Sequence, residues 1–563
     1  MIPGALPDHP LPSVAAKPLN RLYFGDNLDV LREQIPDESV DLIYLDPPFN
    51  SNANYNVLFK SPKGEQSEAQ ITAFEDTWHW TNESARTLEQ LKFKHGELAE
   101  LLDLMVRQFG HNDLSAYLVM MAVRLVELHR VLKPTGSLYL HCDPTSSHYL
   151  KMILDVIFGI TNFSNEIIWR RTTTKNDYKQ GAVNFPRVHD VILMYYKNVG
   201  LAKSNSAFHQ PFGEYSQEYL DKSYKYVETD GRRYGLHDLT APGRGMRGHP
   251  QYEFLGVTRY WRYSKETMDA LLTQGRIIQL KPGSVPRYKR YLDEMPGVAI
   301  GDVWNDVGLV QGQSNEFLGY PTQKPLALLE RIIQASSNPG DIVLDPFCGC
   351  GTAVHASQKL DRQWIGIDIT HLAIALIEKR LRDAFPGIQF TVEGTPKDLG
   401  GATDLASRDK YQFQWWACSL VNAQPYKGKQ KGADSGIDGQ IFFTDLEKGK
   451  PVIKKIIVSV KGGGNVGAAM MRDLGGTVQR TKAEIGLFIT LTPPTKPMEK
   501  EAAAAGFYRA GNGKDYPRIQ ILTIEDLLTG RKRPEYWDMS MGELTFKKAQ
   551  REAGEEAVQG QLF

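Results

Sequence analysis

The most constraining feature of this sequence is a glycine-rich turn between an apolar strand and a helix. The predicted strand 341–344 leads into the turn 345–352, DPFCGCGT, and a helix is predicted to follow. Such a turn lets a ligand approach the backbone, and the helix N-terminus adds partial positive charge. Asp368 ends the next predicted strand, where an acidic side chain accepts hydrogen bonds from ribose hydroxyls. The turn contains no lysine, so Asp345 before the glycines favours a ligand with a positive amine over a phosphate.

A second motif follows the buried strand 41–45 and consists of Asp46, Pro47, Pro48 and Phe49. The two prolines fix φ and remove two backbone donors, so their carbonyls are presented rigidly. A carboxylate, a bare carbonyl and an aromatic ring together suit an exocyclic amine on a flat heterocycle. The carboxyl end of a buried strand is also where α/β sheets bind ligands. The sequence therefore predicts a second half of the same pocket.

These two motifs resemble those of the DNA amino-methyltransferases that use S-adenosylmethionine, over residues 20–395. The catalytic motif precedes the cofactor motif, which resembles the permuted β class, and residues 50–55 are similar to those of type III modification subunits. The resemblance implies an α/β fold with a permuted Rossmann-like sheet and an inserted target-recognition region. It also implies two sets of site residues. The catalytic set is Asp46, Pro47, Pro48 and Phe49. The cofactor-binding set is Asp345, Phe347, Gly349, Gly351, Thr352 and Asp368, then Thr322, Lys324 and Pro325 near the methionine end, and Asp26, for which a helix N-cap is the alternative role.

The implied reaction is methylation of the N6 amine of adenine in double-stranded DNA. The family flips the target base out of the duplex, and here the base would stack on Phe49. Asp46 and the Pro47 carbonyl would accept hydrogen bonds from the amine. Asp rather than Ser at the first position favours adenine, with N4 of cytosine as the alternative. The Pro-Cys pair that ring-carbon methylation requires is absent from the motif.

The region 197–310 lacks clear periodicity and is predicted to recognise DNA. Residues 241–290 contain ten basic and three acidic side chains in a chain whose 66 basic and 66 acidic residues balance. A local positive excess with interspersed aromatic rings is typical of nucleic-acid contact. The aromatic residues in question are Tyr252, Tyr260, Trp261, Tyr263 and Tyr288.

Residues 411–535 resemble the Mrr-like branch of the restriction-endonuclease fold, a second and smaller α/β domain. The resemblance places Asp438 and Lys461 in a nuclease-like site that holds Mg²⁺ and polarises water. Ser459 stands where that family has Glu, Asp or Gln, and Gln414 where Glu is frequent. Loss of carboxylates weakens Mg²⁺ binding. Three functions stay open: a methyltransferase of a restriction–modification or defence system, a single chain that both methylates and cuts, and a DNA-recognition protein without activity.

The rest of the chain gives weaker expectations. Residues 1–19 are predicted to be a disordered lead-in, 396–410 a linker, and 536–563 a helix and tail. The terminal peptide, Gln559 to Phe563, resembles a sliding-clamp-binding peptide, and restriction or defence subunits are further expected partners. Four cysteines without metal-ligand spacing exclude a disulfide scaffold and a zinc site. No apolar run approaches the roughly 18 residues of a membrane span, so a cytoplasmic protein without membrane contact is expected.

Overall fold

The computed structural model of the protein describes residues 20–48, 54–60, 66–75, 79–173, 185–241, 248–320, 322–426, 436–542, 544–546 and 548–552. Residues 54–60 and 66–75 are described by their backbone alone. The predicted lead-in 1–19, Phe49, residues 50–53 and the terminal peptide 559–563 lie outside the described residues. In the described part of the chain, the helices are all too short or too polar to span a bilayer.

The chain divides into two compact units. The first contains Met1–His209 and Asp302–Phe563, and the second is Gln210–Gly301, which lies inside the predicted recognition region. The amino-terminal part of the first unit contains β1 (Arg21–Phe24), α1 (Asn27–Gln34), β2 (Val40–Leu45), β3 (Asn54–Lys60), β4 (Gln66–Glu75), α2 (Asn82–Lys94), α3 (Gly96–Phe109), α4 (Asp113–Val131), β5 (Leu132–Cys142), α5 (Ser147–Phe158), β6 (Phe163–Arg170), β7 (His189–Tyr196) and α6 (Val199–Ser204).

The second unit contains short strands and two helices. They are β8 (Phe212–Gly213), α7 (Gln217–Ser223), β9 (Tyr226–Val227), β10 (Arg233–Asp238), β11 (Gln251–Phe254), β12 (Val257–Tyr260), α8 (Lys265–Thr273), β13 (Ile277–Ile278), β14 (Arg287–Tyr291) and β15 (Val298–Ala299).

The chain then returns to the first unit. Its next elements are β16 (Val303–Trp304), α9 (Leu326–Ser336), β17 (Ile342–Asp345), α10 (Thr352–Lys359), β18 (Gln363–Asp368), α11 (His371–Ala384) and β19 (Thr391–Glu393). The carboxyl-terminal elements are α12 (Leu399–Arg408), α13 (Lys410–Ser419), β20 (Gln424–Pro425), β21 (Gly439–Glu447), β22 (Lys450–Lys461), α14 (Ala468–Thr481), β23 (Ile485–Thr490), α15 (Lys496–Ala504), β24 (Phe507–Arg509), β25 (Asp515–Pro517), β26 (Ile519–Thr523) and α16 (Ile524–Thr529).

A large sheet of the first unit has the strand order β16-β6-β7-β5-β2-β17-β18-β1-β19. Strand β7 is antiparallel to β5 and β6, and the other paired strands are parallel. Strand β2, from the amino-terminal half, pairs directly with β17, from the carboxyl-terminal half. The permuted α/β sheet expected from the order of the motifs is therefore confirmed, and four neighbouring strands (β2, β17, β18 and β1) present their carboxyl ends together.

The helical pattern predicted over residues 83–132 forms three helices, α2 to α4. Helix α2 begins at the N-cap Thr81, whose hydroxyl accepts from the amides of Glu83 and Ser84. Helix α3 ends at Gly110, whose φ of 83° terminates it, and Asn112 then caps α4. Apolar side chains of these helices share one core with residues of β2, β5 and β7, so the helices support the strands that carry the first motif.

The charge of the second unit supports DNA contact less strongly than the local excess of basic residues in its sequence does. Its 92-residue span holds fourteen basic and eleven acidic residues, a far smaller excess than that of residues 241–290. Several of its cations pair internally: Arg276 with Glu294, and Lys289 with Glu228. Trp261, predicted to contact nucleic acid, is fully buried in the core of the unit. That aromatic residue stabilises the fold and is not a contact surface.

The carboxyl-terminal domain has a mixed five-stranded sheet of order β20-β21-β22-β23-β26. The segment 396–410, predicted as a linker, contains helix α12, because Ala402 and Leu405 repeat at helical spacing and are buried in the core of this domain. The described part of 536–552 contains turns and no helix. Thr545 anchors it through hydrogen bonds with the backbone of Phe442.

Candidate active site

A cavity of about 250 Å³ lies at the carboxyl ends of the four neighbouring strands. Strand β2 contributes Asp46, β17 contributes Asp345 and β18 contributes Asp368, while Gly25 and Asp26 follow β1. The register explains the convergence: Leu344 pairs with Ile43, and Phe24 pairs with Asp368. Parallel strands in register end at one edge, so three acidic side chains surround one space.

The glycine-rich turn approaches the cavity closely because two of its glycines have positive φ. Gly349 has φ 50° and lines the cavity, and a Cβ there would lie 3.2 Å from the Tyr320 ring. Gly351 has φ 74°, and a Cβ there would lie 2.8 Å from Ile377. Gly351 does not line the cavity; it lets helix α10 begin against α11. The two glycines therefore serve ligand approach and packing, respectively.

Asp368 is held in place by three donors. Its carboxylate accepts from the amide of Gly349 at 2.9 Å and from the amide and hydroxyl of Thr370 at 2.9 Å each. Burial raises the pKa of Asp368 to about 6. Burial also raises the pKa of Asp345 well above its ordinary value, although the Phe347 amide donates to that carboxyl at 3.0 Å. Burial thus disfavours the charged form of both carboxyls, and a cationic ligand beside them would offset that cost.

The pKa of Asp368 leads to a testable pH dependence. We propose that Asp368 accepts hydrogen bonds from the ribose of the cofactor, as the resemblance implies; because such an acceptor works best as a carboxylate, cofactor affinity is expected to fall as the pH is lowered through about 6. Isothermal titration of S-adenosylmethionine between pH 7.5 and 5.5 measures this, and the Kd is expected to rise by about threefold to fourfold. Asp368→Asn should bind more weakly and with a flatter pH dependence. The same pH slope in both proteins would contradict the role of Asp368.

Asp46 is oriented by Lys324, for which the resemblance implied a role in cofactor binding. The Lys324 ammonium donates to Oδ2 of Asp46, and the two side chains are only 8% and 17% exposed. The other oxygen, Oδ1, is buried and has no hydrogen-bond partner among the described residues. A buried unsatisfied acceptor is costly unless a ligand completes it. Oδ1 is therefore an acceptor whose hydrogen-bonding capacity the described residues leave unused.

Asp26 has the N-cap role that the sequence offered as the alternative, and its contact with a cofactor stays a prediction. It lines the cavity and also caps α1, where it accepts from the Leu28 amide at 2.7 Å. Arg124 on α4 donates to both carboxylate oxygens of Asp26 at 2.9 Å. Asn27 donates to the Pro346 carbonyl at 2.7 Å, which ties the start of α1 to the glycine-rich turn. These contacts hold one wall of the cavity rigidly.

Tyr44 also lines the cavity, and the residues behind it are structural. Its hydroxyl lies 3.1 Å from Nδ1 of His141, whose Nε2 lies 3.1 Å from Asp190. His141 is fully buried and does not line the cavity. It supports the wall through Tyr44.

Most of the predicted site residues converge on this cavity. Pro325 is the N-cap of α9 and does not line it, and Phe49 lies outside the described residues. Sequence reasoning missed Tyr320 and Arg124, which lie on no recognisable motif, whereas Asn27 adjoins a residue that was singled out. The predicted residues that line the cavity are Asp26, Asp46, Pro47, Pro48, Thr322, Lys324, Asp345, Phe347, Gly349, Thr352 and Asp368.

The nuclease-like site of the carboxyl-terminal domain is built differently from a magnesium site. Asp438 precedes β21, and Lys461 ends β22 with its Nζ 3.8 Å from Asp438 Oδ2. Oδ2 also accepts from the Val460 amide at 2.7 Å, and Oδ1 accepts from Gln414 Nε2 at 3.1 Å. No group of three His, Cys, Asp or Glu side chains suited to a metal occurs among the described residues. Magnesium requires hard, open oxygen ligands, so this donor set does not fit it.

Comparison with known proteins agrees with the geometry of the cavity. A family model for DNA methylases matches residues 40–379, more than half of the chain. The chain belongs to the DNA methylase family. A second family model, described as a restriction endonuclease, matches residues 405–527 of this DNA methylase. The predicted resemblance of this domain to restriction endonucleases is thereby confirmed. The match does not bear on whether the domain cuts DNA.

Individual relatives cover parts of this DNA methylase. The type II methyltransferase M.EcaI of Enterobacter cloacae is 35% identical over 270 residues, which cover 47% of this chain and 57% of that protein. The StyLTI Mod subunit, a type III restriction-modification protein of Salmonella typhimurium strain LT2, is 27% identical over 365 residues, 61% of this chain and 50% of the relative. The DNA adenine methyltransferase YhdJ of Escherichia coli strain K12 is 49% identical over 81 residues, 14% of this chain and 27% of that protein. The chain thus spans only about half the length of the first two relatives.

Proposed function

We propose that this DNA methylase transfers a methyl group from S-adenosylmethionine to the N6 amine of adenine in double-stranded DNA, as part of a restriction–modification system in the cytoplasm. The observation that carries the proposal is the convergence of Asp46, Asp345 and Asp368 on one cavity. The adenine specificity draws on Asp at the first motif position and on the similarity to YhdJ, a DNA adenine methyltransferase. N4 of cytosine is the alternative acceptor.

The cavity fits S-adenosylmethionine on three counts. Gly349 lines the cavity without a side chain, so a ligand can lie close to the backbone of the turn. Asp368 lines the same cavity and accepts from backbone amides, which supports its proposed role as an acceptor for the ribose hydroxyls. Asp345 adds a buried carboxyl beside a ligand that carries a positive amine and a positive sulfur. When bound, the cofactor supplies an electrophilic methyl group.

The protein's own contribution is to position the amine. Asp46 Oδ1 accepts one N–H of the target amine, and the Pro47 carbonyl accepts the other. These two hydrogen bonds fix the nitrogen and direct its lone pair toward the methyl group. Lys324 holds Asp46 Oδ2 and thereby prevents the carboxylate from turning away. Catalysis by positioning needs no covalent intermediate with the enzyme.

The proposal is tested with purified protein, tritiated S-adenosylmethionine and unmethylated genomic DNA, followed by nucleoside analysis. Label in N6-methyladenine is the expected result. Label in N4-methylcytosine would overturn the choice of base, and absence of label from DNA that the protein binds would overturn the activity.

We further propose that the carboxyl-terminal domain does not cut DNA with Mg²⁺, since Asp438 is the one carboxylate of its described site and both of its oxygens are engaged. The protein is incubated with methylated or unmethylated plasmid DNA at Mg²⁺ concentrations that increase in tenfold steps. The DNA should stay intact at every concentration. Mg²⁺-dependent nicking that Asp438→Ala removes would overturn this and establish a chain that both methylates and cuts. Sliding-clamp and subunit partners stay predictions.

A further inference from the structure

We propose that the restriction endonuclease-like domain, with the chain that follows it, holds the cofactor turn 345–352 in its binding shape, so that cofactor affinity depends on that domain. The inference rests on the proposed use of S-adenosylmethionine. It gives the domain a task in methylation that does not involve cutting. Three sets of contacts support it, and all of them lie inside the first compact unit.

The first set is apolar. Trp415 on α13 is 6% exposed and shares a buried cluster with Tyr320 and Cys350, both of which line the cofactor cavity. Phe546, from the chain after the domain, packs against the same cluster. The Tyr320 ring in turn abuts Gly349 of the turn. Trp415 therefore forms the layer directly behind the cavity wall.

The second set is a polar contact at the start of α11. The amide of His371, the first residue of that helix, donates to Oε1 of Gln412 on α13 at 3.0 Å. The first amides of a helix have no partner within the helix, so Gln412 satisfies one of them. Thr370, the N-cap of α11, donates to Asp368 through both its amide and its hydroxyl. Gln412 thus fixes the helix start that positions the ribose acceptor.

The third set reaches the turn from the chain after the domain. Glu552 lies 2.8 Å from Nε2 of His355 on α10, and its amide donates to the Ala384 carbonyl at 3.1 Å. Nδ1 of His355 accepts from Arg380 Nε at 3.2 Å. The same Arg380 donates through Nη1 to the Cys350 carbonyl at 3.2 Å. A continuous chain of hydrogen bonds therefore links Glu552 to the backbone of the turn.

Helix α13 offers matched variants for the test. Trp415 faces the cavity wall, whereas its neighbour Trp416 is buried in the core of the domain itself. Gln412 bonds the methylase half, whereas Gln520 is an equally well-bonded glutamine whose partners, Glu535 and Pro517, belong to the domain. Trp416→Ala and Gln520→Ala thus remove contacts within the domain and none of the three sets of contacts described above.

The experiment measures S-adenosylmethionine binding to the full chain by isothermal titration, without DNA, for Trp415→Ala, Gln412→Ala and Glu552→Ala beside the two controls. The Kd is expected to rise about threefold to thirtyfold in the interface variants and to stay near the wild-type value in the controls. In methylation assays, the KM for the cofactor should rise while kcat at saturation is retained. Thermal melts verify that each variant is folded, and Gln412→Ala decides the test if Trp415→Ala does not fold.

Hydrogen exchange on the wild-type protein gives a second measurement. The cofactor should slow exchange of the α13 amides, because ordering the turn also orders the helix packed behind it. Equal Kd values in interface and control variants, or unchanged exchange in α13, would overturn the inference. Absence of cofactor binding by the wild-type chain would instead overturn the proposed function, so the two failures are distinguishable.

Discussion

Replacement of Asp46 by Ala is expected to lower kcat for methylation by about 10²- to 10³-fold, since it removes the acceptor that fixes the target amine. The Kd for the cofactor should stay within about twofold of the wild-type value, because the proposed contact of Asp46 is with the amine of the target base and not with the cofactor. Single-turnover methylation and isothermal titration of S-adenosylmethionine measure the two effects. The expected pattern is therefore a chemical defect in a protein that still binds its cofactor.

Strand β2 supplies a matched control for this variant. Asp41, at the start of the strand, pairs with Lys133 at 2.8 Å, much as Asp46 pairs with Lys324 at the end. Asp41→Ala should lower the melting temperature and leave kcat unchanged, since it is remote from the cavity. Full methylation by Asp46→Ala, or an equal loss in both variants, would contradict the assignment of Asp46 to catalysis.

Replacement of Lys324 by Ala is expected to lower kcat by about 10- to 100-fold, because it leaves the Asp46 carboxylate unpaired in a largely buried place. Asp345 lies in the same cavity, and Lys324 is one of the charges that lower the pKa of that residue. Loss of the cation therefore increases repulsion within the acidic cluster. Lys324→Arg should restore part of the rate, since a guanidinium also pairs with a carboxylate.

A double-mutant cycle separates positioning from general stabilisation. If Lys324 acts through Asp46, the double variant should be no slower than Asp46→Ala alone. Lys133→Ala, the partner change at the opposite end of β2, should leave kcat unchanged. Additive losses in the cycle, or a rise in the cofactor KM with kcat unaffected, would instead return Lys324 to the cofactor role that its motif predicted.

Local sequence patterns predicted the core of the site because each pattern marks the end of a strand. Asp46 directly follows β2, the glycine-rich turn begins at the end of β17, and Asp368 ends β18. The order of the two motifs along the chain resembles that of the permuted class and so implied a permuted sheet. Parallel strands align their ends, so these acidic residues could be placed together without knowledge of any contact between them. The same reasoning could not predict that Lys324 pairs with Asp46, because a sequence motif indicates the region in which a residue lies and not the side chain that it contacts.

Contacts across long sequence separations had no local signal. Trp415 reads as an ordinary core residue of α13, and nothing in its neighbourhood indicates that it packs behind Tyr320. The segment 396–410 was predicted as a linker from its glycine and polar content, yet burial of Ala402 and Leu405 makes it helical. Burial is a property of the whole fold, and it overrides weak local preferences.

The sequence by itself determined the family, the order of the two motifs and the three acidic residues of the cavity, because strand ends and tight turns are encoded by adjacent residues. Tertiary structure decided which oxygen of Asp46 is open, since Lys324, 278 residues away, occupies the other. It also decided that Asp438 is held by Gln414 and the Val460 amide, and that the nuclease-like domain lies against the cofactor turn. Each of these depends on side chains that meet only when distant segments pack, and packing depends on the whole chain at once.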